Sequence, residues 1–531
     1  MRKLLVIALL LPSVFLTAGN DYAKLNRQAA KEYLEPIRRG GVDDRPYWNV
    51  FAKRFIYAPA FDFQKVDGAA KYRYTVSSED GGSWSFTSKV PDASLAPVWN
   101  DVKVGLMNLK VEALDKSGKP LAVAGERTFV RDYPFAGPYP RACRSYRESA
   151  LLCLIRIHRR GDVQYWLKHQ VPDMSMQLYT YPSKIVSGLI RMELILADMA
   201  PGYRDDAIKI AENAAAFLIS LSAAPDSPLA YLVPTYYQDL ITSGKEENAG
   251  KMMLQDPGMA IHAFLDLYKA TGKQEYMDRA LNMTRTYLKL QRPDGSFPIK
   301  VDFTTGEPTN NVSGNPVELL VLWRRFSTEF GVTEFEAMEE RTAKWIDDVV
   351  VKDFNWTGQF EDVSVNGVAP YQNLTHCWAD MYVSYLMTKG TPDKETVALA
   401  REINRFCEDQ FVHWKEDIPM QHPTQDCLPP MTVTLSPNVH EQYNYEMAID
   451  ASADGMINAW LDIYDRTGDA LVLEKAYTMA DAIVNSQITS SGMIPTSWNY
   501  HNGLNDRPWY NCTLWSIQTL LRLDASYGDH K

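Results

Sequence analysis

Two stretches of this chain are copies of one another. "AFLDLYKATGKQEYMDRALNMTRTYLKLQRPDGSFP" begins at Ala263 and "AWLDIYDRTGDALVLEKAYTMADAIVNSQITSSGMIP" at Ala459. Ala263, Asp266, Tyr268, Thr271, Gly272, Ala280 and Gln291 stand opposite Ala459, Asp462, Tyr464, Thr467, Gly468, Ala476 and Gln487. Each unit reads as a helix, a Thr-Gly turn, a second helix and a loop of the form Gly-x-apolar. A looser third unit runs through "VELLVLWRRFSTEFG" and "EERTAKWIDDVVVKDF" to "GQFE". Hairpins of about fifty residues cannot bury their apolar faces alone, so they stack. They do so as an open solenoid or as a closed ring of six, an (α/α)6 toroid around a central cleft. Roughly five to six hairpins fit between Arg144 and Lys531, with long, aromatic-rich loops where a solenoid needs only short, uniform turns. The expectation is a mainly α chain closed as a toroid.

The repeat also assigns the loops to one end. "GSFP" (295–298), "GQFE" (358–361) and "GMIP" (492–495) each follow the second helix of a hairpin and lead to the next first helix. All three should lie around the mouth of the cleft. The third copy carries Glu361 and Asp362 where its sisters carry proline.

Before the helical region the period changes. From Val50 to Asp132 short alternating segments ("RFIYAPAFDF", "AKYRYTVSS", "SWSFTSKV", "VKVGLMNLKVEALD", "LAVAGERTFVR") are split by turn residues. They read as a small antiparallel β-sandwich, fibronectin III-like in its later strands. The organisation expected is a signal peptide over 1–19, a lead-in over 20–49, the β-module over 50–132, a Pro-rich linker over 133–143 and the barrel over 144–531. Arg2 and Lys3, the apolar run Leu4–Leu16 and Thr17-Ala18-Gly19 make the signal. That run is shorter than the roughly 20 residues of a membrane span, so the mature protein should be exported, periplasmic or secreted, without stable membrane insertion.

Composition narrows the partners. A formal net charge of −11 argues against nucleic acid, whose phosphates need a basic surface. Six cysteines without C-x-x-C spacing make neither a disulfide scaffold nor a zinc site. With no H-E-x-x-H, calcium loop, Walker loop or dinucleotide fingerprint, no metal and no cofactor is expected. Oligomeric state is not readable.

The segments at the mouth concentrate Trp, Tyr, His, Asn and acids: "QDPGMAIH" (255–262), "GEPTNNVSGNPVE" (306–318), the Glu361 loop, "PNVHEQYNYEMAIDASAD" (437–454) and "TSWNYHNGLNDRPWYNC" (496–512). Aromatic faces stack on sugar rings, and carboxylates and amides bond hydroxyls, so the set reads as a carbohydrate cleft. Cleaving a glycosidic bond takes one carboxylic acid to protonate the leaving oxygen and a second carboxylate to activate water or attack. Glu361 is the candidate acid, with Glu441 or Asp450 as partner; adjacent Asp362 diverges from Glu361 and is assigned to substrate. Asp380 and Asp454 read as helix-start acids, which favour the positive end of the dipole. Tyr181, His376, His440, Gln442, Tyr443 and Trp509 would line the sugar site. Lys184 in "YTYPSK" and Arg507 in "NDRPWY" would meet a substrate carboxylate. A lyase would use Tyr443 or His440 as base instead.

The fibronectin-like lead-in, "YPSK", "GQFEDV…PYQNLTH", "HEQYNYEMAIDASAD", "GMIPTSW" and "WYNC" together resemble the six-hairpin carbohydrate-active enzymes of gut and marine bacteria. The likeness is greatest to the exported β-glucuronidase and unsaturated-glucuronyl hydrolase branches, from Arg144 to the C-terminus. It implies removal of a uronic acid from a plant, algal or microbial glycan. The expectation is therefore an exported glycoside hydrolase, a β-glucuronidase, acting on an oligosaccharide or polysaccharide. The alternatives are a polysaccharide lyase on the same barrel and a non-catalytic glycan-binding protein.

Overall fold

The computed structural model describes residues 22–237, 248–358, 369–415, 435–443, 445–488, 491–498 and 508–530. After a first helix, α1 (Tyr22–Glu32), the helices that build the body are α2 (Tyr146–His158), α3 (Ser187–Met199), α4 (Arg204–Leu221), α5 (Pro257–Thr271) and α6 (Gln274–Leu290). They continue as α7 (Val317–Phe330), α8 (Glu336–Trp345), α9 (Cys377–Thr388), α10 (Lys394–Phe411), α11 (Asp450–Thr467), α12 (Ala470–Ser486) and α13 (Tyr510–Ser526). Hairpins pair α3 with α4, α5 with α6, α7 with α8, α9 with α10 and α11 with α12. The sixth pair joins the two ends of the helical region, α13 against α2. The inner helices close a ring: α3 on α5, α5 on α7, α7 on α9, α9 on α11, α11 on α13 and α13 back on α3.

Sequence pattern explains which helix of a pair goes inside. In α5 the run Ala260–Leu265 is buried without a break, because an inner helix has neighbours on every side. In α6 burial falls on Tyr276, Met277, Ala280, Met283, Thr284 and Tyr287, the single stripe of an outer helix. The turns repeat as read: Gly272, Gly331 and Gly468 end α5, α7 and α11 at φ of +71°, +68° and +66°. The repeated glutamine has a function of its own. Gln291 Nε2 donates to Met338 O and Thr342 Oγ1 of α8, both at 2.9 Å. Gln487 Nε2 donates to Gly492 O of its own exit loop (2.8 Å) and to Ser149 O of α2 (3.0 Å). Each glutamine thus ties the end of one outer helix to the next outer helix round the ring.

The N-terminal strands correct the sandwich expectation. β1 (Arg54–Phe55), β2 (Lys71–Ser78), β3 (Ser83–Ser88), β4 (Gly105–Leu114) and β5 (Pro120–Arg131) form one mixed sheet in the order β1-β5-β4-β2-β3, with β1 parallel to β5. All five expected segments contain strands, but no second sheet covers them among the described residues. The alternating residues Tyr72, Tyr74, Val76, Met107, Leu109 and Val111 turn to one face. Irregular chain covers the aromatic core of this region instead: Phe61 and Trp99 pack on Phe129, and Trp99 Nε1 donates to Ile56 O. The aromatic bulk of Phe61 and Trp99 does there what a second sheet would have done.

This region is anchored on the ring through α10. Asp409 Oδ1 accepts the N–H groups of Ile56 (2.5 Å) and Tyr57 (2.8 Å). Glu408 accepts from Tyr33, Tyr57, Trp414 and Lys475, and Lys475 also reaches Glu32 of α1. Phe135, in the segment leading to α2, packs edge-on against Trp414 at 4.9 Å. No helix among the described residues is long and apolar enough to cross a membrane.

Candidate active site

The residues that open the six inner helices converge on one cavity of about 230 Å³. Six helix N-termini bring their positive dipole ends to one place, so the mouth favours negative charge. The acids found there are consistent with that field. Asp256 precedes α5, Glu318 is the second residue of α7, Asp380 lies in the first turn of α9, and Glu441 comes from β6 (Asn438–Gln442) just before α11. On the α3 side stands one cation, Lys184, in a π-helical turn over Pro182–Val186. A π-turn inserts an extra residue and re-aims the chain, and here it turns a lysine inward, 9% exposed. Aromatic walls come from Tyr181, Trp378, Trp509 and Trp515. The Tyr181 ring packs against Trp509 at 5.3 Å and Tyr236 at 5.7 Å.

Glu318 is the unusual acid. Burial, reinforced by the charge of Asp256, pushes its carboxyl up to about 7, against the opposing pull of Lys184 and Arg191. It therefore keeps its proton up to about pH 7. Across the ring from α3, His376 Nδ1 meets Asp380 Oδ2 at 2.5 Å. Burial pushes the Asp380 carboxyl up, and the histidine holds it down in part.

The residues singled out from sequence divide cleanly. Tyr181, Lys184, His376, Glu441 and Trp509 line the cavity together. His440, Gln442 and Tyr443 do not. Along β6 side chains alternate, so His440 and Gln442 turn to the face opposite Glu441. The His440 ring lies on that of His413 at 4.1 Å, Gln442 Oε1 accepts from Asn373, and Tyr443 donates to Gln410 Oε1 at 2.6 Å. Asp450, the first residue of α11, is sealed between α11 and α13, where it accepts from Ser516 Oγ (3.3 Å) and from the N–H of Ala451. Burial holds its carboxyl well above the usual range. Glu361, Asp362 and Arg507 lie outside the described residues. The segment of Glu361 and Asp362 follows Gly358, where a side chain would meet Gln442 Oε1 at 2.5 Å.

Asp256, Glu318, Trp378 and Trp515 were not singled out. Asp256 and Glu318 sit inside segments that the repeat had already assigned to the mouth. The usable signal was register: each lies at the start of an inner helix. Asp380, read as a helix-start acid, belongs to the cavity as well.

No protein-family model matches the chain, and no curated protein matches it in sequence. Solved structures resemble its course. The cellobiose 2-epimerase from Spirochaeta thermophila is 11% identical over 72% of this chain and 98% of its own, with a TM-score of 0.48. A family 76 glycoside hydrolase from a bovine Bacteroides thetaiotaomicron strain is 9% identical over 88% of this chain and 96% of its own, at 0.40. An unsaturated glucuronyl hydrolase specific for heparin is 11% identical over 72% and 99%, at 0.44. At such scores these likenesses carry no argument about the reaction, which rests on the residues of the cavity.

Proposed function

We propose that the chain is an exported glycoside hydrolase that removes a uronic acid, as a β-glucuronidase does, from the end of a glycan. The observation that carries this reading is Glu318: a carboxylic acid kept protonated near neutrality in an aromatic-walled cavity that also holds a lysine. A glycosidase needs such an acid to protonate the leaving oxygen as the bond breaks. Glu441 is the second carboxylate, bearing on the positive charge that develops at the anomeric carbon. Lys184 meets the sugar's own carboxylate, and Tyr181 and Trp509 offer ring faces. Glu361 is retained as the competing acid, on its position in the repeat.

A second reading, β-elimination by a lyase, is favoured by one observation: an imidazole backed by a carboxylate, His376 with Asp380, lines the cavity, whereas Tyr443 and His440 do not. Incubating the protein with a panel of uronate-capped oligosaccharides separates the readings. Hydrolysis releases the saturated uronic acid, and Glu318→Gln stops it while sparing binding; retained turnover in that variant and loss in Glu361→Gln would move the acid to Glu361. Products absorbing in the ultraviolet, from a C4–C5 double bond, would establish the lyase. Binding without any product would leave a glycan-binding protein.

A further inference from the structure

The hydrolytic reading leaves one pair in the cavity without a task. His376 stands at the head of α9 and Asp380 one turn further, so their side chains meet on one face of the helix. Both side chains are 1% exposed. His376 Nε2 lies 3.5 Å from the thiol of Cys377, and both residues line the cavity. The groups around the pair come from three elements: Cys377 on α9 itself, Cys407 and the Phe411 ring on α10, and Glu441 on β6.

The fourth neighbour is a missing side chain. Gly455 lies inside α11, where glycine costs about 1 kcal/mol relative to alanine. A Cβ at that position would meet Asp380 Oδ2 at 2.3 Å and Oδ1 at 3.1 Å. The helix opposite is thus bare where the carboxylate lies, and an added methyl would push the carboxylate off the imidazole.

We propose that Asp380 is a positioning residue that accepts the His376 Nδ1 proton in a hydrogen bond and leaves Nε2, beside Cys377, as the atom that takes a proton in the reaction, with Gly455 supplying the clearance. This deepens the hydrolytic reading and rests on it. The oxygen of the attacking water bonds to the anomeric carbon, its proton passes to Nε2, and the glycosidic oxygen leaves with the proton of Glu318. The positive imidazolium so formed is offset by Asp380.

The test has a spectroscopic and a kinetic arm. Nitrogen-15 spectra of neutral His376 in the wild-type protein should show the proton on Nδ1, and Asp380→Asn should mix the tautomers. With a uronate-capped oligosaccharide, Asp380→Asn should lower kcat by about 100-fold and Gly455→Ala by about tenfold, each with KM within about twofold. Far-ultraviolet dichroism reports whether each variant is folded; should Asp380→Asn fail to fold, Gly455→Ala and the wild-type spectrum carry the test. A wild-type imidazole protonated on Nε2 alone, or wild-type kcat in the folded variants, overturns the proposal. A protein that hydrolyses nothing in the panel defeats the hydrolase reading, and the spectrum still decides how Asp380 holds His376.

Discussion

At the scale of residues, Glu318 combines two consequences of one cause. Excluding water from its carboxyl, with Asp256 nearby, favours the neutral acid and lifts it to about 7. The chemical consequence is that activity should fall as pH rises through about 7, where the acid loses its proton. The energetic consequence has the same sign. Between about 4.5 and 7 the folded protein holds a proton that the unfolded chain has released, so stability declines across that window as pH rises. Glu318→Gln keeps the shape without the ionisation. We expect the variant to match the wild type in thermal melts at pH 4 and to exceed it at pH 8, by up to about 3 kcal/mol. Lys184 gives a second test. Lys184→Met should lower kcat/KM on uronate-capped substrates by about 10- to 100-fold and leave neutral glycosides unchanged, as competition assays with matched glucuronides and glucosides would show.

At the scale of elements, the repeat carries its own fastenings. Removing Gln487 leaves the carbonyls of Gly492 and Ser149 without the donor they now share. Gln487→Ala should cost about 1–3 kcal/mol in denaturant unfolding, and Gln291→Ala a similar amount, because the bonds are equivalent. Gly468→Ala isolates the turn. Nothing lies within 4 Å of a Cβ there, so the loss of about 1 kcal/mol expected from melts is the left-handed backbone alone. The same elements show how sequence reading succeeded and failed. Hairpins and turns were legible because their period and glycines are local. The β6 strand was legible as a site segment, but not its phase: a two-residue alternation turned Glu441 inward and His440 and Gln442 away, and nothing local says which face meets the cavity. Asp450 and Asp380 both begin inner helices, yet only Asp380 lines the cavity; the choice depends on how each helix is rotated about its axis.

At the scale of the molecule, the N-terminal region and the ring share buried polar ties rather than a bare apolar seam. Lys475 is 1% exposed between Glu408 and Glu32, and Glu408 also takes the hydroxyls of Tyr33 and Tyr57. Glu408→Ala strips a buried cation of one partner and leaves those donors unpaired. A loss of about 3–5 kcal/mol is expected from chemical denaturation, with the region from α1 to β5 and the ring still melting in one transition. Two separate transitions in the wild-type protein would show the two parts to be independent.

What the sequence determined by itself was the hairpin unit, its turns, and the end of the helices where the cavity lies. Those follow from period and backbone conformation, which are properties of neighbouring residues. The pairing of α13 with α2, the single sheet in place of a sandwich, and the meeting of Glu318, Lys184, Glu441 and the His376–Asp380 pair were decided only by tertiary structure. Each depends on groups far apart in the chain being buried together, and burial is what turns one ordinary helix-start acid, Glu318, into a protonated carboxyl and sets another, Asp380, against an imidazole.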